Sequence, residues 1–177
     1  MVALPGNMLT FVIGGASSGK SAYAEKLMLG MAARPVYIAT AQAFDAEMAE
    51  KIARHKDARG TGWHTIEAPV DLAGAIDGAS GAEGILIDCA TLWLSNLMLA
   101  EADIDAAEAE AFDALDRCGC PVVVVSNEVG QGVVPDTPMG RRFRIIQGGF
   151  NQRLAARADR VVAVMAGLPL VLKGDPA

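Results

Sequence analysis

The residues most able to do chemistry lie near the start of the chain. Gly14, Gly15, Ala16, Ser17, Ser18, Gly19, Lys20 and Ser21 fit the spacing G-x-x-x-x-G-K-[ST]. An apolar run from Leu9 to Ile13 precedes them, and a helical pattern carrying Tyr23, Leu27 and Met28 follows. Strand, glycine loop and helix start are the setting in which backbone N–H groups turn toward an anion at a helix N-terminus. Gly14, Gly15 and Gly19 are expected to give the backbone that freedom. Lys20 would reach the outer phosphates as a point charge, and the Ser21 hydroxyl would ligate Mg²⁺. The stretch predicts binding of a nucleoside triphosphate.

Other candidates sit at the ends of apolar runs. Asp88 closes Gly84-Ile-Leu-Ile-Asp88, where a carboxylate holds Mg²⁺ directly or through water, or caps the helix that starts near Thr91. Asn127 and Glu128 end the Val122 run in the same way. Glu128 fits a proton acceptor or a cap of the following loop equally well. In the segment Phe44 to Arg59, the positions Phe44, Met48, Ile52 and His55 share one helical side at about 100° per residue. Lys51 and Arg59 flank His55 at helical spacing, so their charges would favour a neutral, nucleophilic imidazole and attract a polyphosphate. The spacing also fits a core histidine held by a backbone carbonyl. The chain has only two histidines, and His64, beside Trp63 in an expected strand, reads as structural.

A length of 177 residues suits one domain, residues 1–177, with a full core. Hydrophobic residues make up 52%, yet no uncharged run reaches the ~20 residues that cross a bilayer. Met1 to Met8 lacks the basic start and apolar centre of a signal peptide, so a cytoplasmic protein without membrane partners is expected. The three cysteines, Cys89, Cys118 and Cys120, fit reduced, buried thiols better than a disulfide framework. Cys118-Gly-Cys120 has the wrong spacing for a structural zinc site. A net charge of −6 argues against a nucleic-acid surface. The acidic run from Glu101 to Asp116, which includes Glu108, reads as the solvated face of a helix covered through Ile104, Phe112 and Leu115.

These residues need a scaffold of alternating strands and helices. Helices are expected over Ser21 to Ala33, Phe44 to Arg59, Val70 to Ile76, Thr91 to Leu99, Ile104 to Arg117 and Gly140 to Ala158. Strands are expected at Leu9 to Ile13, Val36 to Ala39, Trp63 to Ile66, Gly84 to Asp88, Pro121 to Ser126 and Arg160 to Met165, with an edge strand over Leu168 to Leu172. The pattern predicts an α/β fold, a mostly parallel sheet with helices on both faces. In such sheets ligands lie beyond the carboxyl ends of the strands, which gathers the phosphate loop, Thr40, Asp88 and Ser126-Asn127-Glu128 on one rim.

Several longer stretches are more specific than the phosphate loop. They are Tyr37-Ile-Ala-Thr40, Asp45-Ala-Glu-Met48 leading to Arg54-His-Lys-Asp-Ala-Arg59, and Trp63-His-Thr-Ile-Glu67. Further along come Leu86-Ile-Asp-Cys-Ala-Thr-Leu-Trp-Leu-Ser-Asn96, Val125-Ser-Asn-Glu-Val-Gly-Gln-Gly-Val-Val-Pro135, Gly140-Arg-Arg-Phe-Arg144 and Asn151-Gln-Arg-Leu-Ala-Ala-Arg-Ala-Asp159. Together with the loop, they make the chain resemble the bifunctional adenosylcobinamide kinase/adenosylcobinamide-phosphate guanylyltransferase family of cobalamin biosynthesis over nearly its whole length.

The resemblance implies a P-loop NTPase fold with a RecA-like core, a homotrimer, and two activities. In one, ATP or GTP phosphorylates the aminopropanol hydroxyl of adenosylcobinamide. In the other, GTP guanylates a histidine, and GMP passes to adenosylcobinamide phosphate to give adenosylcobinamide-GDP. The guanylated histidine falls on His55. The residues implied to contact GTP are Gly14 to Ser21, Ala39, Thr40, Ala41, Lys56, Asp57, Ala58, Arg59, Glu67 and Asp88, with Mg²⁺ at Ser21 and Asp88. Lys20 would be catalytic beside His55. Two departures stand out: Ser17 replaces a frequent Arg, removing a phosphate-facing cation, and Ile145-Ile-Gln-Gly-Gly149 lacks the usual leading acid and Ala-Gly. A simple P-loop kinase, with His55 only packed, and a nucleotide-driven switch module are the competing expectations.

Overall fold

The computed structural model describes residues 7–43, 46, 49–50, 53, 60, 62–79 and 81–175. The first strand, β1 (Leu9–Gly14), leads through the glycine loop into α1 (Lys20–Met31). Then follow β2 (Val36–Ala39), β3 (His64–Glu67), α2 (Leu72–Gly78), β4 (Ile85–Asp88) and α3 (Ala90–Leu99). The rest is α4 (Ile104–Arg117), β5 (Val122–Asn127), α5 (Pro138–Arg157), β6 (Arg160–Met165) and β7 (Leu168–Lys173). Of the helix expected between Phe44 and Arg59, Ala46, Ala49, Glu50 and Ala53 are described and helical.

Local chemistry sets the boundaries. Asp71 and Asp103 cap α2 and α4 by accepting from the N–H groups of Gly74 (2.8 Å) and Ala106 (3.0 Å). Thr137 caps α5 by accepting from Gly140 (3.1 Å), and Pro138 stands in the first turn, where its missing N–H costs nothing. These caps start α5 two residues before the expected Gly140 and α2 two residues after the expected Val70, and α2 runs on to Gly78 rather than Ile76.

Among the described residues the strands form one seven-stranded sheet in the order β3-β2-β4-β5-β1-β6-β7. Every pairing is parallel except β6 with β7, which turns back through Ala166 and Gly167 in left-handed conformations (φ 52° and 77°). Strand alternation sends Val12, Tyr37, Leu86, Val123, Val125 and Val162 to the face covered by Ala24 and Met28 of α1. Phe11, Ile38, Ile87, Val122, Val124 and Val161 face the other layer, built from α2 to α5 around Trp93, Phe112 and Phe150.

The acidic helix α4 differs from expectation at one residue. Glu108 is only 5% exposed, and Arg153 of α5 donates to it through Nε and, at 2.8 Å, through Nη2. The helix packs its charged side against the basic α5, where Arg157 bonds Asp116 (2.9 Å) and lies 4.6 Å from the Phe112 ring centre. Burial of Glu108 is sustained by that partner.

Candidate active site

The phosphate loop sits where β1 ends and α1 begins. Gly19 stands just before the helix with φ 90°, a conformation costly for residues with a Cβ, and no side chain caps the first turn. The first N–H groups of α1 are therefore left to an external acceptor. Gly14 is required for a different reason, since a Cβ there would stand 2.5 Å from both Ser18 Oγ and the Val164 carbonyl oxygen. Gly15 has open space around it and no positive φ, so its freedom is not what shapes the loop. Ser17 adopts φ 55° despite its side chain. Lys20 Nζ donates to the Gly15 carbonyl (3.2 Å), and Gly167 N donates to the Ser18 carbonyl (2.8 Å), tying the loop to the β6–β7 turn.

Register brings the other rim residues into line. Glu67, Ala39 and Asp88 pair across β3, β2 and β4, and Asp88 pairs in turn with Val125 of β5. Since Val125 and Ala39 face α1, the carboxylate of Asp88 and the side chain of Glu67 project on the same face as the phosphate loop helix. Asp88 Oδ2 accepts from Tyr37 Oη at 3.0 Å. It does not cap α3, whose N-cap is Cys89 without any side-chain bond. Glu67 is exposed, and Ala39 and Ala41 are half-buried. Thr40 is fully buried, and its hydroxyl joins both sides of the Cys89 peptide, accepting from the N–H (2.9 Å) and donating to the carbonyl (2.7 Å). Burial, with the Asp88 charge adding, pushes the Cys89 thiol up to about 11.

The end of β5 divides its residues among different surroundings. Ser126, fully buried, donates to Asn151 Oδ1 (2.8 Å) and accepts from Gln147 Nε2 (2.7 Å), with Thr91 Oγ1 at 3.3 Å. Asn151 Nδ2 donates to the Asn127 carbonyl (3.1 Å), and Asn127 N donates to Thr91 Oγ1 (2.7 Å). Asn127 pairs with Gly14, and its Oδ1 is a buried acceptor with no hydrogen-bond partner among the described residues. Both carboxylate oxygens of Glu128 accept from the loop that follows, from Gly130 N (2.6 Å) and Gln131 N (3.1 Å). That geometry is the loop cap, and Arg144 reinforces it by donating to the Gly130 carbonyl.

The structure thus brings together Gly14 to Ser21, Ala39, Thr40, Ala41, Glu67 and Asp88 at the carboxyl ends of adjacent strands. His55, Lys56, Asp57, Ala58 and Arg59 lie outside the described residues. Within the departing stretch, Ile145 is 76% exposed, whereas Gln147 is fully buried in the Ser126 network. Asn127 was placed on the rim by the sequence, whereas Tyr37, Gln147 and Asn151 were not singled out as site residues. Their contacts follow from strand register and the docking of α5, which spacing along one segment does not reveal.

The sequence matches the family model described as cobinamide kinase / cobinamide phosphate guanyltransferase over residues 10–172. It is 40% identical to the bifunctional adenosylcobalamin biosynthesis protein CobP of Pseudomonas aeruginosa, covering 96% of this chain and 99% of the relative. It is 42% identical to the bifunctional adenosylcobalamin biosynthesis protein CobU of Salmonella typhimurium, covering 94% and 100%, and 37% identical to that of Escherichia coli over the same shares. Similar solved folds include the flagellar accessory protein FlaH of Methanocaldococcus jannaschii (TM-score 0.56, 14% identity, 97% of this chain and 80% of that one). The RadB recombinase is similar too (TM-score 0.54, 15% identity, 90% and 74%), which supports a P-loop NTPase fold. By sequence over nearly its full length, the chain belongs to the cobinamide kinase / cobinamide phosphate guanyltransferase family of bifunctional transferases of cobalamin biosynthesis.

Proposed function

We propose that this chain, as one catalytic domain, phosphorylates adenosylcobinamide with a nucleoside triphosphate and then guanylates the product through a GMP-histidine at His55. The observation that carries the nucleotide part is the uncapped start of α1, with Lys20 in its first turn and the Asp88 carboxylate on the same face of the sheet. The family membership and the His55 match within Arg54-His-Lys-Asp-Ala-Arg59 carry the rest.

In the kinase step the substrate hydroxyl attacks the γ-phosphorus of ATP or GTP, an O–P bond forms as the bond to the nucleoside diphosphate breaks, and the hydroxyl proton passes to solvent. Lys20 and the N–H groups of the loop would hold the phosphates and stabilise the charge that shifts to the leaving oxygen. In the guanylyl step the neutral imidazole of His55 attacks the α-phosphorus of GTP. An N–P bond forms as the bond to pyrophosphate breaks. A phosphate oxygen of adenosylcobinamide phosphate then attacks the same phosphorus, the N–P bond breaks and His55 is restored. The product is adenosylcobinamide-GDP. Lys56 and Arg59 would neutralise the departing pyrophosphate, and Ala39, Thr40, Ala41, Asp57, Ala58 and Glu67 would complete the GTP contacts. Ser21 and Asp88 offer the hard oxygen donors that suit Mg²⁺, which when bound neutralises phosphate charge. The homotrimer and the cytoplasmic location implied by the resemblance belong to this reading.

The test uses GTP labelled at the α-phosphate, with Mg²⁺, on wild-type and His55→Ala protein. Acid-labile, alkali-stable label that stays on denatured wild type and is absent from the variant is the expected result. Competent GTP binding without any label on the protein would reduce the reading to a simple kinase.

A further inference from the structure

The segment Cys118-Gly119-Cys120 lies at the opposite end of β5 from the phosphate loop, about 20 Å away at strand rise. Cys118 ends α4 and Cys120 precedes Pro121, so the short turn through Gly119 folds the two side chains together. Their Sγ atoms stand 3.6 Å apart, both thiols are free, and both are half-buried rather than sealed in the core. Cys118 Sγ also lies 3.8 Å from the Cys120 carbonyl oxygen. A cavity of about 280 Å³ opens beside them, lined by Ile76, Asp77, Arg117, Cys118 and Cys120. Arg117 donates twice to Asp77 (3.2 and 3.0 Å), which fixes the end of α4 on α2 and places a guanidinium on the cavity wall.

The pair titrates as a unit. The contact between the two sulfurs lowers the Cys118 thiol, against the opposing pull of burial, and holds Cys120 up. Asp77 and Arg117 are the charged side chains on the cavity wall beside the pair. Cys89 forms the contrast, buried and protonated.

We propose that Cys118 and Cys120 form a thiol–disulfide exchange site, separate from the nucleotide site, for a low-molecular-weight disulfide such as glutathione disulfide. Cys118 thiolate attacks one sulfur of the bound disulfide. A bond forms to Cys118, the ligand S–S bond breaks, and one thiolate departs and takes up a proton. Cys120 then gives its proton to solvent and attacks Cys118 Sγ. The Cys118–Cys120 bond forms and the second thiol is expelled. The ligand is reduced by two electrons to two thiols, and the cysteine pair is oxidised by two. The sulfurs must approach by about 1.5 Å. Gly119 permits this, because even an added Cβ there would meet nothing within 4 Å.

The experiment incubates the full-length protein with glutathione disulfide near neutral pH and follows intact mass, thiol titre and the peptide spanning residues 118–120. The expected wild-type result is loss of both thiols together, a peptide lighter by two hydrogens, and full reversal by dithiothreitol, with Cys89 untouched. Cys120→Ser, lacking the resolving thiol, should stop with one glutathione on Cys118. Cys118→Ser should be modified about ten-fold more slowly or less. Wild type that keeps both thiols, or that ends with glutathione still attached, overturns the proposal. So does equal reactivity of the two variants. The wild-type mass measurement decides the matter even if a variant does not fold.

Discussion

Replacing Gly14 by Ala separates a packing requirement from a conformational one. The new Cβ would lie 2.5 Å from the Val164 carbonyl oxygen and 2.5 Å from Ser18 Oγ. Ordinary C···O contacts begin near about 3.3 Å, so each distance falls short by roughly 0.8 Å. The Ser18 hydroxyl can rotate away, but the Val164 oxygen belongs to the β6 backbone, next to β1 in the sheet. The loop or the strand must therefore shift. Overpacking of this kind costs about 1–3 kcal/mol, which for a chain of this size lowers Tm by roughly 3–10 °C. The same shift displaces the N–H groups at the start of α1, so triphosphate affinity should fall by ten-fold or more. Gly15→Ala is the control, because its Cβ meets nothing and the unfolded chain loses freedom; its stability should be unchanged or about 0.4–1 kcal/mol higher. Thermal melts with calorimetric titration of a non-hydrolysable GTP analogue read both quantities. A Gly14→Ala protein with wild-type Tm and affinity, or a Gly15→Ala protein destabilised as much, would refute the packing argument.

Two further substitutions probe the surroundings. Asn127→Leu removes a buried acceptor that has no partner among the described residues, so Tm should hold or rise while nucleotide-dependent turnover drops at least ten-fold. A variant with full turnover would show that Oδ1 has no ligand role. Glu108→Gln should cost about 1–3 kcal/mol in a denaturant melt, below the usual loss for a broken buried pair because Arg153 is half exposed and can turn to water. GTP affinity should stay within two-fold, and an unaltered melting curve would mean the pair contributes nothing.

Much of the architecture was legible in the sequence, for identifiable reasons. Apolar runs such as Ile85-Leu-Ile and Val122-Val-Val-Val are long enough only for strands buried on both faces, and the glycine loop names the first of the βα units. What stayed hidden depends on register and docking. The acidic face of α4 looked uniformly solvated, yet the approach of α5 buries Glu108 against Arg153. Cys118 and Cys120 were expected as reduced, buried thiols. Their half-exposure beside a cavity follows from how α2 and α4 end together. Glu128 fitted a base or a cap equally well, and the N–H groups of Gly130 and Gln131, placed by the loop, supply the cap geometry. At the phosphate loop the motif identified the right glycines but gave Gly14, Gly15 and Gly19 one shared reason. In the fold Gly19 answers to its dihedral, Gly14 to its neighbours, and Gly15 to neither.

The three neighbours Ser126, Asn127 and Glu128 show why a short block can be more telling than a glycine loop. Strand β5 lies between β4, which ends on Asp88, and β1, which ends on Gly14. Alternation sends Ser126 away from the phosphate loop into the Thr91, Gln147 and Asn151 network, which fixes α3 and α5 on the strand end. The next residue, Asn127, must then face the phosphate loop, level with Gly14 and two positions past the row that holds Asp88. Glu128 follows where the strand has ended, and its carboxylate folds the loop toward Arg144. Each residue answers to a different layer, so exchanging any two of them would misplace both. A glycine loop constrains only the approach of phosphate. This block ties the helix layer, the sheet and the rim into one arrangement, and a sequence that keeps it must keep the docking of α5 as well.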